Sequence, residues 1–541
     1  MTTPLIEVEG LTVTAGLNVL VDDVAFTLES GSRTGIIGES GSGKTMTALA
    51  IMGLLPDGLT ATGSVRLHGE ELLGQDDKEL VTQRGNSMSM IFQEPLAALN
   101  PVMRIGRQIA EPLLIHREIS RAEASLIAIN LLESVGIDDP QRRAKAFPHE
   151  LSGGQRQRAL IAMALANGPA LVIADEPTTA LDVTVQAQVL GVLRDQVVAR
   201  DTALILITHD LPVVASVADS VIVLRDGAIV ESGPTQEVFQ TPSNLYTRQL
   251  VDAVPPLSRS VTVIPKHVEP QIDGQPIVEM TDIRRTYRLR KRNLTDPAPL
   301  IHALDGVTID VLRGETLGIV GESGSGKTTL ARIMMGLDTP TSGVVVVDGI
   351  PLDSKQNLRR VRDVAQMVFQ DPMGSLDPRM LVEDVVAEPL RSLRVGGDHR
   401  KRVAELLDAV SLPSDAVHRY PHEFSGGQRQ RIAIARALAP GPRLLIADEP
   451  VSALDMSVQT VTLDLLDELK QEFSLTMVFI SHDLSVIHEI SDRVVVLEKG
   501  RVVESGSAGS VFSQPKEQYT KDLLAAIPRL DGSFLDKGFV A

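Results

Sequence analysis

Short apolar runs recur along the chain, and each ends in a polar turn of fixed character. TGIIG (34–38) and LGIVG (317–321) run into glycine-rich turns. ALVIAD (170–175) and RLLIAD (443–448) end in carboxylates, and ALILITHD (203–210) and TMVFISHD (476–483) end in His-Asp. Unbroken apolar runs of this length predict strands buried on both faces. Helical periodicity between them predicts a mostly parallel α/β core. VIVLRDGAIVESG (221–233) and VVVLEKGRVVESG (494–506) predict hairpins that turn at Asp226-Gly227 and Lys499-Gly500. The greasiest stretches, such as Ala203–Ile207 and Val344–Val347, are of strand length. None approaches the roughly 18 apolar residues that cross a bilayer, so the chain is expected not to span a membrane by itself. MTTPLIEVEGLTV at the N-terminus has no basic stretch followed by an apolar one, which predicts no secretory signal and a cytosolic chain, with docking to a membrane protein left open.

The runs come in pairs because the chain is a tandem duplication. GESGSGKT stands at 38–45 and at 321–328, IFQEP (91–95) matches VFQDP (368–372), and PHELSGGQRQR (148–158) matches PHEFSGGQRQR (421–431). IADEP recurs at 173–177 and 446–450, THDL (208–211) matches SHDL (481–484), and LYTRQL (245–250) matches QYTKDL (518–523). The offset is 283 residues at Lys44/Lys327, 277 at Gln93/Gln370, and 273 from Ser152/Ser425 through Asp175/Asp448 and His209/His482 to Tyr246/Tyr519. Length changes therefore sit between the first two motifs and just after the second. Two large copies exclude a solenoid of many short repeats. The domains are expected at 1–254 and 277–541, joined by the Pro-rich segment 255–276, which lacks helical periodicity and reads as an extended linker.

Composition narrows the chemistry. The 541 residues give a prior of about three or four domains from length alone; the duplication reduces this to two large ones. Lys plus Arg is 52 and Asp plus Glu is 70, a formal charge of −18, which disfavours a general nucleic-acid or anionic-membrane binder. Cysteine is absent, which excludes disulfides, thiolate zinc sites and Cys-ligated iron–sulfur clusters.

GxxxxGK[ST] after a strand and before a helix is a phosphate-binding P-loop. Its glycines let backbone N–H groups turn toward phosphate oxygens, and the helix adds its positive end. The first loop comprises Gly38, Glu39, Ser40, Gly41, Ser42, Gly43, Lys44 and Thr45, with Met46 following. The second comprises Gly321, Glu322, Ser323, Gly324, Ser325, Gly326, Lys327 and Thr328, with Thr329 following. Lys44 and Lys327 are expected to reach the β/γ-phosphates, and Thr45 and Thr328 to ligate Mg²⁺. A plain Gly/Ser loop is the bland alternative, and two copies in the same strand–loop–helix context weigh against it.

The apolar strands ending in Asp175-Glu176 and Asp448-Glu449 fit a nucleotide hydrolase, the Asp serving the Mg²⁺ shell and the Glu orienting or deprotonating water. An acidic strand end alone is often an exposed turn, and a lone His after a strand is more often structural than catalytic. Repetition at one offset raises His209 and His482 to functional candidates, whereas Gln93 and Gln370 are ambiguous from their residues alone. Ser152, Gly153, Gly154 and Gln155, with Ser425, Gly426, Gly427 and Gln428, open helices as an N-cap and an anion-binding end. A second anion site within one copy is redundant; between two copies it makes sense as a lid over the partner's nucleotide. His149 and His422 have no neighbours at metal-ligand spacing and read as structural.

P-loop, Gln loop, SGGQ, DE pair, ALD (180–182 and 453–455) and His, in this order, resemble the ATP-binding cassette (ABC) family over nearly the whole chain. The resemblance implies two P-loop NTPase domains of α/β class, each with a mostly parallel core sheet, an antiparallel β subdomain and a helical subdomain. It implies a head-to-tail pair, with one ATP between Gly38–Thr45 and Ser425–Gln428 and the other between Gly321–Thr328 and Ser152–Gln155. Glu176 and Glu449 would be the general bases, His209 and His482 the γ-phosphate sensors, and Gln93 and Gln370 Mg²⁺ and coupling residues beside Thr45, Asp175, Thr328 and Asp448.

FQEPLAALNP (92–101), FQDPMGSLDP (369–378) and the YTRQL…AVPP and YTKDL…AIP tails look like the dipeptide/oligopeptide/nickel importer subfamily, with its two ATPase subunits fused. That implies two integral-membrane permeases that meet the segment after the Gln loop, an extracytoplasmic solute-binding protein, and a peripheral place on the cytoplasmic face of the membrane. In this family an aromatic often stacks on adenine; Tyr287 is the candidate in the second copy, and LTVTAGLN in the first has none. The absence of cysteine rules out the iron–sulfur cluster of some relatives, and intact Glu bases and signatures imply that neither site is dead. The competing reading is a soluble tandem ATPase acting on ribosomes or nucleic acid, which usually carries a long charged linker. A third, a non-hydrolysing scaffold, is opposed by the two Glu bases.

Overall fold

A computed structural model describes residues 4–178, 181–255, 257, 273–288, 300–452 and 454–531. Most of the expected linker, and Ala180 and Ala453 of the two ALD motifs, lie outside the described residues. The chain divides into two compact units, one carrying the first ten strands and the other the second ten.

In the first unit, β1 (Ile6–Ala15), β2 (Asn18–Leu28), β4 (Leu59–Leu67) and β5 (Glu70–Glu71) form an antiparallel sheet in the order β2-β1-β4-β5. β3 (Arg33–Ile37), β6 (Met88–Ile91), β7 (Leu171–Asp175), β8 (Ala203–Ile207), β9 (Ser220–Arg225) and β10 (Ala228–Pro234) form the second sheet, in the order β10-β9-β3-β8-β7-β6. Every pairing in it is parallel except β9 with β10, the expected hairpin. β7 and β8 are buried at all five positions, as their unbroken apolar runs predict. Each fully buried Leu, Ile or Val side chain there contributes about 2 kcal/mol relative to exposure. β1 instead alternates, with Ile6, Val8, Leu11 and Val13 buried; a register shift between Val8 and Leu11 resets the alternation.

The second unit repeats the plan. β11 (Asp273–Arg288), β12 (Leu300–Arg313), β14 (Ser342–Val347) and β15 (Ile350–Pro351) form a sheet in the order β12-β11-β14-β15. β13 (Thr316–Val320), β16 (Ala365–Val368), β17 (Leu444–Asp448), β18 (Thr476–Ile480), β19 (Arg493–Glu498) and β20 (Arg501–Ser507) form the other, in the order β16-β17-β18-β13-β19-β20. β11 begins four residues before the expected domain start at 277, because Asp273 and Pro276 pair with Arg313 and Leu312.

In each unit one apolar core joins the two sheets. Three helices pack on one another as a separate layer. They are Ile105–His116, Arg121–Ser134 and Gly153–Ala164 in the first unit, and Val382–Leu393, His399–Ala409 and Gly426–Leu438 in the second. The parallel strands end together, so their C-terminal turns collect the P-loop, the DE pair and the His at one edge of the sheet.

Candidate active sites

The P-loop follows β3 directly. Gly38 has φ +154°, and a Cβ there would meet the Leu224 carbonyl oxygen at 2.2 Å; Gly321 stands in the same relation to Leu497. The helix Lys44–Ile51 then begins on Gly43 with no side-chain cap, so its leading amides are available to an anion. Lys44 is buried and donates to the carbonyls of Gly38 at 2.8 Å and Glu39 at 2.7 Å. Lys327 donates to Gly321 at 2.7 Å and Glu322 at 2.9 Å. Each loop thus curls around its own ammonium.

Asp175 is the last residue of β7, and the chain turns sharply after it. Glu176 has φ +45° and Glu449 φ +49°, left-handed backbone that costs a non-glycine residue about 1 kcal/mol or more. Amide bonds from Glu176 to Ile207 at 2.8 Å and from Glu449 to Ile480 at 2.9 Å tie these turns to the neighbouring strand. The turn separates the adjacent carboxylates. Asp175 is bonded by the Thr45 hydroxyl, and Thr328 Oγ1 donates to Asp448 at 3.3 Å. The Glu carboxylates face the other way. Glu176 accepts from Gln93 Nε2 at 2.7 Å and lies 2.9 Å from His209 Nδ1. Glu449 accepts from Gln370 Nε2 at 2.8 Å and lies 3.1 Å from His482 Nδ1. Gln93 and Gln370, ambiguous as sequence, therefore join the same cluster as the Glu and the His of their own unit.

Electrostatics follow from this arrangement. Burial opposes charge on His209 and His482, yet the hydrogen bond and charge of the facing Glu carry both imidazoles above their ordinary pKa. Burial raises Glu449, but His482, Lys327 and Gln370 together hold it below the usual carboxylate range. Asp175 moves up, through burial and then Glu176, and burial with the charge of Glu449 pushes Asp448 up to about 6.

The residues fit a nucleotide-borne Mg²⁺. A hydroxyl, a buried carboxylate and a Gln amide are hard oxygen donors, and Mg²⁺ takes few protein ligands beside phosphates and water. Among the described residues no three His, Cys, Asp or Glu side chains cluster as an all-protein metal cage. When bound, the ion would neutralise phosphate charge, held by Thr45, Asp175 and Gln93 or by Thr328, Asp448 and Gln370.

SGGQ opens a helix in each unit with the expected Ser N-cap. Ser152 Oγ accepts the Gln155 amide at 3.3 Å, and Gln155 Oε1 accepts the Ser152 amide at 3.2 Å; Ser425 and Gln428 repeat this reciprocal capping box. Ser152, Gly153, Ser425 and Gly426 are exposed, whereas Gly154 is buried, and a Cβ on it would meet Val185 Cγ1 at 2.3 Å. Gly427 meets Val458 in the same way. The second glycine thus serves helix packing. His149 stacks on Phe147 and His422 on Tyr420.

Tyr287 lies half-buried on β11, with Arg285 over its ring at 4.5 Å, and its hydroxyl donates to Asp338 at 2.6 Å. Its phenol is therefore already oriented. Beyond the Gln loop of the first unit, Asn100, Val102, Met103, Arg104, Arg107 and Phe147 line a groove of about 440 Å³, with Val102 81% exposed. Phe92 and Phe369 beside the two Gln residues are also exposed. One contact escaped the sequence reading: Tyr246 and Tyr519 bond to the P-loops. The recurrence of Tyr at the 273-residue offset was its signal.

A P-loop closed on its lysine, an Asp beside the P-loop Thr, and a Gln–Glu–His cluster define a nucleoside-triphosphate hydrolase, present twice. The family model described as ABC transporter matches residues 21–179 and 304–452, and that of the oligopeptide/dipeptide transporter C-terminal region matches 230–274 and 503–536. The peptidoglycan transport ATP-binding protein YejF of Agrobacterium fabrum is 45% identical over 97% of this chain and 96% of its own length. The glutathione import ATP-binding protein GsiA of Escherichia coli K12 is 43% identical over 94% of this chain and 86% of its own. A solved dimeric ATP-binding cassette with ADP and phosphate matches 43% of this chain and 98% of that one, at 33% identity and a TM-score of 0.39. The chain belongs to the ABC transporter family. It is a tandem ABC ATPase coupled to transport, and among the described residues no helix is long and apolar enough to cross a membrane.

Proposed function

We propose that this chain is the complete ATPase pair of an importer for oligopeptides or a related small solute. The observation that carries the reading is the duplicated cluster itself, intact in both units of a chain similar along its length to ATP-binding proteins of glutathione import and peptidoglycan transport. These relatives do not favour the ribosome- or nucleic-acid-directed alternative.

In this reading the cassettes close head to tail on two ATP·Mg²⁺. Gly38–Thr45 with Gln93 faces Ser425–Gln428, and Gly321–Thr328 with Gln370 faces Ser152–Gln155. The capped SGGQ helices bring their positive ends to the γ-phosphates. Lys44 and Lys327 keep the carbonyl of Glu39 or Glu322 and turn a remaining N–H to phosphate oxygens. Glu176 and Glu449, released from their Gln or His, take the proton of the attacking water, and His209 and His482, charged beside them, stabilise the transferring phosphoryl group. Hydrolysis removes the bridging contacts and the halves part, which supplies a two-state element to drive a permease. Fusion fixes a one-to-one ratio of unlike cassettes and raises their effective concentration. Tyr287 serves adenine at the second site.

The partners are two permease subunits, seated near the segments after the Gln loops on the cytoplasmic face, and an extracytoplasmic binding protein. The exposed Phe92, Val102 and Phe369 suit such docking. The test is co-purification with membrane proteins and ATP-dependent uptake of peptides by the reconstituted complex. Recovery with ribosomes, or ATP turnover without uptake of any peptide or related solute, overturns the reading.

A further inference from the structure

The C-terminal region of each cassette reaches its own P-loop through a tyrosine, buried in the first unit and half-buried in the second. In the first unit the helix Leu245–Asp252 carries Tyr246, 4% exposed, and the Glu39 amide donates to its hydroxyl oxygen at 3.0 Å. In the second unit the Glu322 amide donates to Tyr519, on the helix Gln518–Ala525, at 3.1 Å. Glu39 and Glu322 also hold the P-loop lysines by their carbonyls, at 2.7 and 2.9 Å. One residue in each loop therefore has its N–H fixed by the tyrosine and its C=O on the ammonium that serves phosphate. The tail helix and that lysine are thus linked through one residue of the loop.

The tail helix is itself anchored to the core sheet. Glu231 on β10 accepts the amides of Ser243 at 2.8 Å and Asn244 at 3.1 Å and the Ser243 hydroxyl at 2.6 Å, and Asn244 caps the helix by accepting the Tyr246 amide at 2.8 Å. Arg225 lies 4.9 Å from the Tyr246 ring centre. In the second unit Glu504 on β20 accepts the amides of Lys516 at 2.9 Å and Glu517 at 3.3 Å, the helix has no side-chain cap, and Glu498 stands where Arg225 does. Burial pushes the Tyr246 phenol above its ordinary value, so it remains a neutral acceptor at physiological pH.

We propose that Tyr246 and Tyr519 are positioning residues that couple the C-terminal region of each cassette to the P-loop lysine, so that nucleotide on the loop and the state of that region bias one another. This rests on the P-loops binding ATP, as proposed above. Reciprocity follows from linkage: if the tail sets nucleotide affinity, nucleotide tightens the tail by the same factor.

The test uses the full chain and the variants Y246F, Y519F and Y246F/Y519F, which keep the ring and remove the acceptor. KM and kcat for ATP are measured, with amide hydrogen exchange of segments 244–252 and 517–525 in the presence and absence of ATP. We expect wild-type protein to gain protection in both segments with ATP. The double variant should lose that gain and show KM raised about fivefold, the value of one ordinary hydrogen bond, with kcat less affected and Tm within a few degrees. Y246F should have the larger effect of the two singles, since its helix is held by more bonds. The proposal is overturned if wild-type tails show no ATP-dependent protection while the P-loops do, or if folded double variant keeps both KM and the protection. If wild-type protein binds no ATP at either loop, it is the functional reading that fails, and this is seen before any variant is made.

Discussion

The two cassettes hold the same chemical cluster on different supports. Gln to Glu is 2.7 Å in one and 2.8 Å in the other, and Glu to His is 2.9 and 3.1 Å. A few residues away the correspondence breaks down. At the base of the core sheet the first unit has a two-pronged pair of Arg33 with Asp219, at 2.6 and 3.0 Å. In the second, Thr316 stands at the place of Arg33, and Asp492 instead accepts the Thr316 amide at 2.8 Å and Lys470 Nζ at 3.0 Å. Beside it Glu315, with 0% exposure, pairs with Arg493 at 3.0 Å. The cluster is copied because short-range devices set it: a glycine that alone fits against a carbonyl, a left-handed Glu, and a strand end. The supports lie outside these local devices, and the second leaves Glu315 Oε2, Thr316 Oγ1 and Arg493 Nε buried without a hydrogen-bond partner, so they are not copied with the cluster.

The largest expected effect tests the equality of the clusters. Converting Glu176 and Glu449 together to Gln should lower ATP turnover by at least about 100-fold while ATP binding survives, since a positioned base contributes 10²–10⁴. Matching geometry predicts comparable losses from the two single variants. Near-normal turnover in the double variant removes the base assignment, and loss confined to one single variant shows that equal distances do not make equal sites.

Next comes packing beneath the signatures. Gly154→Ala places a methyl 2.3 Å from Val185 Cγ1, and Gly427→Ala one 2.6 Å from Val458 Cγ1. Both should destabilise by about 1–3 kcal/mol, the first more, read as separate unfolding transitions in denaturant. A neutral Gly154→Ala would mean that the glycine is there for phosphate access alone.

These cases also show what a sequence makes legible. The P-loops, DE turns, His residues and capped SGGQ helices were readable because each is a local device with a fixed spacing. Gln155 completes the N-cap expected at Ser152 by a reciprocal bond, which the S-x-x-Q pattern makes legible. The antiparallel sheets came only from family resemblance: β1 does alternate, but the shift near Gly10 breaks its period, and β11 carries five register shifts. Sheet order was not legible, since β3 lies between strands more than 150 residues downstream. The tyrosine contacts spanned 207 and 197 residues and left only a repeated letter as a trace.

A smaller effect concerns adenine. Tyr287 is fixed by Asp338 and Arg285, and the first unit has no aromatic in its corresponding segment. Nucleotide affinity at the second site should exceed that at the first by about fivefold, one stacking contact of about 1 kcal/mol, and Tyr287→Leu should erase the difference. Titration of each site with the other's lysine replaced (Lys44→Ala or Lys327→Ala) measures it, and a tighter first site defeats the assignment.

The smallest effect separates the two tail anchors by pH. Burial raises the Glu231 and Glu504 carboxyls, but the hydrogen bonds they accept, from Ser243, Thr247 and Asn244 in one case and from Thr520, Lys516 and Glu517 in the other, outweigh it and hold both below the usual carboxylate range. A depressed folded value means that this stabilisation is fully present above about pH 4.5 and is lost as pH falls through the folded pKa. Glu231→Gln and Glu504→Gln should therefore lower Tm at pH 7 and flatten its fall below pH 4.5. Glu231→Gln should do so more, because Glu231 accepts the Ser243 hydroxyl beyond the amide pair and helix threonine that both anchors share. Equal flattening would mean that the Ser243 hydroxyl adds nothing to the anchor, and the greater effect expected of Tyr246 over Tyr519 would lose one of its supports.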